Sequence, residues 1–143
     1  MAEESQNGVV LFEKYEIGKL LGVGASAKVY HATNIKTGKR VAVKVMNKRK
    51  LINGGFSANI EREISILSSL HHPNIINLFE VLASKTKIYF IVELASAGEL
   101  FEEVAKQDKL TEEHARKYFR QLISAVKHCN RFRFKRREKP DPA

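Results

Sequence analysis

The chain has 143 residues, of which 43% are hydrophobic and 29% charged, a balance typical of a globular protein and not of a disordered one. Its length allows one ordinary domain, and no run of about 18 apolar residues is present to span a membrane. The formal net charge is +9, concentrated only in residues 130–143, where six Lys/Arg face two acids. Scattered positive charge elsewhere is typical of a solvated surface, so specific nucleic-acid binding is not expected.

The cysteine content and the first residues predict the cellular setting. Cys129 is the single cysteine and cannot form an internal disulfide, which favours a reducing cytosolic or nuclear environment. The start, Met1-Ala2-Glu3, lacks the basic and apolar pattern of a secretory signal, and position 2 is not the glycine that myristoylation requires. No His/Cys cluster has metal-ligand spacing. We therefore expect neither a membrane partner nor a metal site built from such a cluster.

Strand patterns dominate the first part of the chain. Runs rich in β-branched and aromatic residues predict strands at 15–17, 27–32 and 40–45, with Thr37-Gly38 as a hairpin turn between the last two. A helix is predicted over 57–70, where His72-Pro73-Asn74 ends it. Two further strands are predicted at 77–82 and 87–92, joined by a polar turn.

The rest of the chain is predicted to be helical. Apolar pairs at a spacing of four follow Gly98, and a longer helix should begin at Thr111, whose hydroxyl can cap free backbone N–H groups. Its apolar stripe repeats at steps of three and four residues and consists of Ala115, Tyr118, Phe119, Leu122, Val126 and Cys129. Five strands with one helix inserted after the third, followed by helices, predict an α+β fold.

A run of small residues between the first two strands is the feature with the most chemical content. It consists of Gly22, Val23, Gly24, Ala25, Ser26, Ala27, Lys28 and Val29. Small residues let a loop close over phosphate oxygens, so that main-chain N–H groups point at them. Alone, such a run is more often only a turn. A dinucleotide-binding motif would open a helix, whereas a strand follows here, and the run does not end in the Gly-Lys-Ser/Thr of a Walker P-loop.

Lys44 and Glu63 form the second candidate feature. Strand alternation places Ala42 and Lys44 on one face, although a lone strand lysine usually faces only solvent. On the predicted helix, Glu63 shares an apolar stripe with Phe56, Ile60, Leu67 and Leu70. A carboxylate on an inward face is costly unless a cation meets it. We therefore predict a Lys44–Glu63 ion pair that aims the ammonium group at phosphates held by the loop.

These motifs together resemble the small-lobe signature of protein kinases: Leu21-Gly22-x-Gly24 through Val29, then Val-Ala-Val-Lys at 41–44, then the helix glutamate. The likeness is closer still to the plant calcineurin B-like-interacting protein kinases, a sucrose-non-fermenting-related serine/threonine group that works in calcium-dependent signalling. It rests on Lys-Tyr-Glu-Ile-Gly-Lys at 14–19, Ala-Lys-Val-Tyr-His-Ala at 27–32, Gly-Glu-Leu-Phe at 98–101 and Arg-Lys-Tyr-Phe-Arg-Gln-Leu at 116–122, and covers residues 9–129.

The resemblance implies a small lobe with a five-stranded antiparallel sheet and one helix, followed by the first two helices of an incomplete large lobe. The implied boundaries are an N-terminal extension at 1–14, small lobe and hinge at 15–95, partial large lobe at 96–129 and a basic tail at 130–143. The implied cofactor is ATP with Mg²⁺. Protein substrates and calcium-sensor proteins are the implied partners, although the family's sensor-binding segment is not found in this sequence.

The resemblance also implies roles for residues that would otherwise be ordinary core or surface positions. Leu21, Val29 and Ala42 would enclose the adenine ring, with Val92 at the back of the pocket. Glu93 and Ala95 would offer backbone hydrogen bonds to adenine, and Glu99 could meet the ribose. Two departures occur in the loop: Ala27 stands at the third glycine position, and Ser26 stands where an aromatic residue is usual.

The sequence after Cys129 departs further from the resemblance. The catalytic-loop motif His-Arg-Asp and the later Asp-Phe-Gly are both absent from the 143 residues. The catalytic base and the two metal-holding side chains of the family are therefore missing. Two hypotheses remain open: a serine/threonine kinase represented by its ATP-binding half, or a non-catalytic interaction or competitor module, including the product of altered splicing.

Overall fold

The computed structural model describes residues 7–49, 57–96, 100–107 and 110–137. The chain divides into two compact units: Met1–Ser68 with Asn77–Leu94, and Ser69–Ile76 with Ala95–Ala143. In the described ranges, none of the helices combines the length and the apolar character needed to cross a bilayer.

The first unit is a six-stranded sheet with one helix. Its strands are β1 (Val10–Leu11), β2 (Tyr15–Val23), β3 (Ala27–Asn34), β4 (Arg40–Asn47), β5 (Leu78–Ala83) and β6 (Lys87–Glu93), and the helix α1 (Ser57–Ser69) connects β4 to β5. The sheet order is β1-β2-β3-β4-β6-β5, and every neighbouring pair is antiparallel. The predicted α+β class, antiparallel sheet and inserted helix are confirmed, but the sheet has one strand more than the five predicted.

The additional strand, β1, joins β2 through a tight turn. The Lys14 N–H donates to the Leu11 carbonyl over 3.0 Å, and the two central residues, Phe12 and Glu13, have φ values of 53° and 56°. This is the geometry of a type I′ hairpin turn, whose usual sequence is Asn-Gly or Asp-Gly. Because neither residue is typical of such a turn, the sequence carries no local signal for β1.

The turn between β3 and β4 has the predicted residues. Gly38 has a φ of 73°, a left-handed conformation that glycine adopts without steric cost. Its N–H donates to the Asn34 carbonyl over 2.7 Å, and the Asn34 side chain accepts from the Lys36 N–H over 3.0 Å. The predicted hairpin at Thr37-Gly38 is confirmed.

The two faces of the sheet carry separate apolar clusters, because successive side chains of a strand alternate between faces. One cluster contains the buried residues Tyr15, Ile17, Ala32, Val41, Val43, Tyr89 and Ile91. The other surrounds Phe90 and contains Met46, Ile64, Leu78, Val81, Ile88 and Val92. Ile64 belongs to α1, so α1 packs on this second face, which we call the helix-side face.

The sheet curls until β2 approaches β5, although β3, β4 and β6 lie between them in the sheet order. Side chains of β2 and its preceding turn span this distance. Lys14 Nζ lies 2.7 Å from Glu80 Oε2, and the Tyr15 hydroxyl donates to the same oxygen. Phe12 packs edge-on against Tyr89, with ring centroids 5.6 Å apart.

The second unit contains α2 (Leu100–Gln107) and α3 (Glu112–Arg137). The predicted cap is confirmed, because the His114 N–H donates to Thr111 Oγ1 over 3.2 Å and the Ala115 N–H donates to the Thr111 carbonyl over 3.0 Å. The apolar stripe predicted for this helix ends at Cys129, whereas α3 continues for eight further residues, to Arg137. The run 130–137 has no glycine or proline to stop the helix.

Candidate functional site

The predicted phosphate-covering loop is the connection between β2 and β3. Gly22 pairs with Val29 and Val23 with Lys28, after an irregularity in β2 between Leu20 and Gly22. The Gly24 N–H then donates to the Ala27 carbonyl over 2.8 Å and closes the turn. Ala25 and Ser26 stand exposed at its tip.

Packing within the chain does not account for the two glycines of this loop. A Cβ at Gly22 would meet no atom within 4 Å, and one at Gly24 would meet only the Ala27 carbonyl oxygen, at the ordinary contact distance of 3.6 Å. Neither glycine is in the left-handed region. Backbone exposed in this way is compatible with a ligand that approaches it closely.

The strand register places four of the predicted residues on one face. Val29 pairs with Lys44 across β3 and β4, and Lys44 pairs with Phe90 of β6. In the next row on this face, Ala42 pairs with Val92. Directly opposed residues of an antiparallel pair point to the same side of the sheet. Val29, Ala42, Lys44 and Val92 therefore share the helix-side face, and the β2–β3 loop adjoins it at Val29.

His31, which was not among the predicted site residues, also lies on this face. It pairs with Ala42, two residues along β3 from Val29. Its carbonyl oxygen and Nδ1 are each 3.3 Å from the position that a Cβ of Gly18 would take. Glycine at position 18 therefore lets β2 and β3 approach closely beside the candidate site. Alternation with Val29 along the predicted strand was the signal that could have identified His31.

The structure describes one partner of the predicted Lys44–Glu63 pair. Lys44 is exposed on β4, whereas the side chain of Glu63 lies outside the described residues. Two residues of the stripe from which the pair was inferred are described: Leu67 of α1 is 40% exposed, whereas Leu70, which follows the end of α1, is buried. The helix contacts the sheet through Ile64, so the predicted inward stripe is wrong at Leu67.

The remaining predicted residues lie at the borders of the first unit or beyond them. Leu21 and Val23 are exposed. The Glu93 N–H donates to the Asn77 carbonyl over 2.9 Å, and its carboxylate accepts from the Asn77 N–H over 3.1 Å. Ala95 is exposed and belongs to the second unit. Glu99 lies outside the described residues.

The opposite face of the sheet holds the most perturbed titratable groups of the described chain. The hydrogen bond from Lys14, followed by that from Tyr15, lowers the pKa of Glu80. Burial of the ring, together with the hydrogen bond to Glu80, raises the pKa of Tyr15, and the bond to Glu80 raises the pKa of Lys14. This cluster connects β2 to β5 and does not adjoin the loop, so its role is structural.

The helix-side face carries groups that fit the phosphates of ATP. The backbone at Gly22, where a Cβ would meet no atom within 4 Å, and a lysine on the adjoining face are groups that phosphates require. By contrast, the described residues contain no group of three His, Cys, Asp or Glu side chains that could hold a metal.

A curled antiparallel sheet with one packed helix, a glycine-containing turn and a lysine on the adjoining strand face define a protein kinase small lobe. The family model of the protein kinase domain matches residues 15–137, and the chain belongs to this family.

Among known proteins, the chain is similar to CBL-interacting serine/threonine kinases. The chain is 56% identical over 128 residues to CBL-interacting serine/threonine-protein kinase 12 of Arabidopsis thaliana. This alignment covers 90% of the chain and 26% of the relative. It is 53% identical over 121 residues to CBL-interacting protein kinase 11 of Oryza sativa subsp. japonica. This alignment covers 85% of the chain and 24% of the relative. The chain therefore spans about a quarter of the length of these curated relatives.

Proposed function

We propose that this chain is the ATP-binding part of a serine/threonine protein kinase of calcium-linked signalling. The observation that carries the proposal is the register that aligns Val29, Ala42, Lys44 and Val92 on one face beside the β2–β3 loop. In this proposal the protein acts in the cytosol or nucleus, and its family partners are protein substrates and calcium sensors. The names of the relatives, which describe CBL-interacting kinases, support the calcium-sensor part.

Each group in the proposed site has a chemical task. Backbone N–H groups of residues 22–29 other than that of Gly24, which is bonded to Ala27, would surround the phosphates, and the Lys44 ammonium would neutralise phosphate charge. Leu21, Val29 and Ala42 would cover the adenine ring, and Val92 would close the back of its pocket. The Glu93 N–H is bonded to Asn77, so the Glu93 carbonyl is the group proposed to accept from adenine.

The test of nucleotide binding is a calorimetric titration of the full chain with Mg-ATP. We expect weak, saturable binding, which Lys44→Ala should reduce by about tenfold, the loss typical of one charge-assisted hydrogen bond. Lys19→Ala is the matched control, because Lys19 is also an exposed strand lysine of the same sheet. An equal loss of ATP affinity in the two variants, or an affinity that neither substitution changes, would refute the assignment of the site.

A second candidate function is a non-catalytic kinase-fold module that binds partners of related kinases. A specific observation favours it: the 143 residues contain neither His-Arg-Asp nor Asp-Phe-Gly, the motifs that orient the substrate hydroxyl and hold Mg²⁺ in protein kinases. Without them phosphate transfer lacks its positioning groups.

Radiolabelled phosphate transfer separates the two candidates. For the non-catalytic module, incorporation into a generic basic peptide should equal that of a sample without protein. Transfer that co-purifies with the chain and disappears in Lys44→Met would instead show that these residues form an active kinase.

A further inference from the structure

His31 is a polar side chain on the helix-side face that the fold itself does not use. It lies on β3, directly across from Ala42 of β4, and its side chain is half-buried. Within the described part of the chain, neither nitrogen of its ring takes part in a hydrogen bond. A polar ring that is partly removed from water and has no partner of this kind is suited to bond a ligand.

The neighbouring strand β2 is irregular at the level of His31. Between Ile17 and Leu20, β2 has one residue more than the facing segment of β3, so it carries a bulge that contains Gly18. A Cβ at Gly18 would lie 3.3 Å from both the carbonyl oxygen and Nδ1 of His31. The imidazole therefore occupies the space that a side chain at position 18 would need, with Nδ1 towards β2. The other ring nitrogen, Nε2, is the one available to a ligand.

The rows of the sheet give the position of His31 within the proposed ATP site. Val29 and Lys44 form the row that adjoins the β2–β3 loop, and His31 and Ala42 form the next row. Two residues of an extended strand span about 6.8 Å, so His31 lies that much further from the loop than Val29 does. Because the phosphates are assigned to the loop and to Lys44, His31 lies at the nucleoside end of the site.

The chemistry of the imidazole also fits the nucleoside better than the phosphates. A neutral imidazole carries one donor and one acceptor, and the hydroxyls of ribose and the edge of adenine offer both kinds of group in return. Phosphate oxygens only accept, and backbone N–H groups and Lys44 already supply donors at the other end of the site.

We propose that His31 is a further nucleotide-contacting residue, which hydrogen-bonds the nucleoside part of ATP through Nε2, and that Gly18 positions its ring. This inference rests on the proposed function and adds to it a residue that recognises the nucleoside and not the phosphates. Gly18 does not touch the nucleotide. It acts through His31, because only a residue without a Cβ leaves the imidazole its place beside β2.

Chemical-shift titrations of the full chain separate the two ends of the site, with adenosine as the probe of one end and tripolyphosphate as the probe of the other. His31→Leu should weaken adenosine binding about fivefold, the loss typical of one hydrogen bond, and should leave tripolyphosphate binding unchanged. Lys44→Ala should do the reverse. His31→Gln keeps a donor and an acceptor and should recover most of the adenosine affinity. Tyr30→Phe is the control, because Tyr30 packs on the opposite face of the same strand, and it should change neither affinity.

A double-mutant cycle tests the positioning role of Gly18. Gly18→Ala should weaken adenosine binding in the parent chain, because the added Cβ displaces the imidazole. It should cause no further loss in the His31→Leu background, where the hydrogen bond is already gone. An equal loss in both backgrounds would overturn the positioning role.

The possible results distinguish this inference from the function on which it rests. If Mg-ATP binds in a Lys44-dependent way while His31→Leu leaves adenosine affinity unchanged, the inference is overturned and the proposed function stands. Equal losses of adenosine and tripolyphosphate affinity in His31→Leu would mean that the substitution disturbs the whole sheet, and would also overturn the inference. No binding of Mg-ATP by the parent chain would refute the proposed function and this inference together.

Discussion

Two consecutive residues in the left-handed conformation are a local cost in the turn between β1 and β2. Phe12 and Glu13 both have Cβ atoms, which in this region crowd the backbone and cost about 1 kcal/mol or more per residue. Phe12 regains part of this cost through its edge-on contact with Tyr89. Glu13 has no ring contact of this kind among the described residues, so it is the better position to test.

We expect Glu13→Gly to raise the free energy of unfolding by about 1 kcal/mol, because glycine adopts this conformation without steric conflict. Urea denaturation monitored by circular dichroism measures the change. Glu13→Ala is the control, since it removes the side chain but keeps the Cβ. An equal gain for alanine would show that the carboxylate, and not the backbone conformation, is unfavourable.

The pH dependence of stability should reflect Glu80 at acid pH. Its pKa is lowered in the folded state, so its contribution is present above the ordinary value of 4.5 and is lost as the pH falls through the folded pKa. Glu80→Gln should lower the melting temperature at pH 7 and make it less sensitive to pH below 4.5 than in the parent protein. Parallel curves of melting temperature against pH for the two proteins would mean that the pKa of Glu80 does not change on folding.

At alkaline pH, titration of Tyr15 and Lys14 should lower the stability of the fold as the pH rises. The pKa values of Tyr15 and Lys14 are raised in the folded state, so their contribution is complete below the ordinary values of 10.0 and 10.5 and is lost at higher pH. Tyr15→Phe therefore supplies the control for Glu80→Gln: it should remove part of the alkaline loss and leave a carboxylate that still titrates at acid pH.

At the scale of elements, α3 depends on its first turn. Thr111 satisfies the N–H of His114, and the Arg116–Glu112 ion pair is exposed, so the cap is the stronger of the two contributions. Thr111→Ala should lower stability by about 1 kcal/mol and reduce helical circular dichroism, whereas Thr111→Ser keeps an acceptor and should recover most of the loss. Equal losses for alanine and serine would exclude the hydroxyl as the cause.

The elements also show which sequence signals were reliable. Alternation along β3, β4 and β6 correctly predicted that Ala42 and Lys44 share a face, because the two-residue period is a property of an extended backbone. The prediction of the inward face of α1 was wrong at Leu67, which is exposed, and did not include Ile64, which packs on the sheet. The sheet on which a helix packs decides which side of the helix is buried. An approximate apolar stripe is compatible with several rotations of the helix about its axis, so the sequence alone does not choose among them.

At the scale of the whole molecule, the first unit holds the fully buried core. Ile17, Val43 and Ile91 are at most 1% exposed, and all three lie in its sheet. By contrast, α3 in the second unit leaves four large apolar side chains open to solvent. Local stability should follow this difference, because opening a region with little buried apolar surface costs less free energy.

Hydrogen exchange of the full chain, followed by mass spectrometry of its peptides, tests this. Amides of β3, β4 and β6 should exchange the most slowly, and those of α2 and the C-terminal half of α3 the fastest. Slow exchange throughout α3 would mean that its apolar stripe is covered in solution, as by self-association, and a concentration series would detect that.

The sequence by itself determined strands β2 to β6, the capped start of α3, the glycine loop and the kinase family, because each depends on neighbouring residues and on local periodicity. Only the tertiary structure decided that β1 joins the sheet, that Lys14 and Tyr15 of one strand region meet Glu80 of another, and which half of α3 stays open. These contacts join residues more than sixty positions apart or depend on how the sheet curls, and no local pattern encodes the curl. Local preference selects the elements, whereas burial across the whole chain selects their partners.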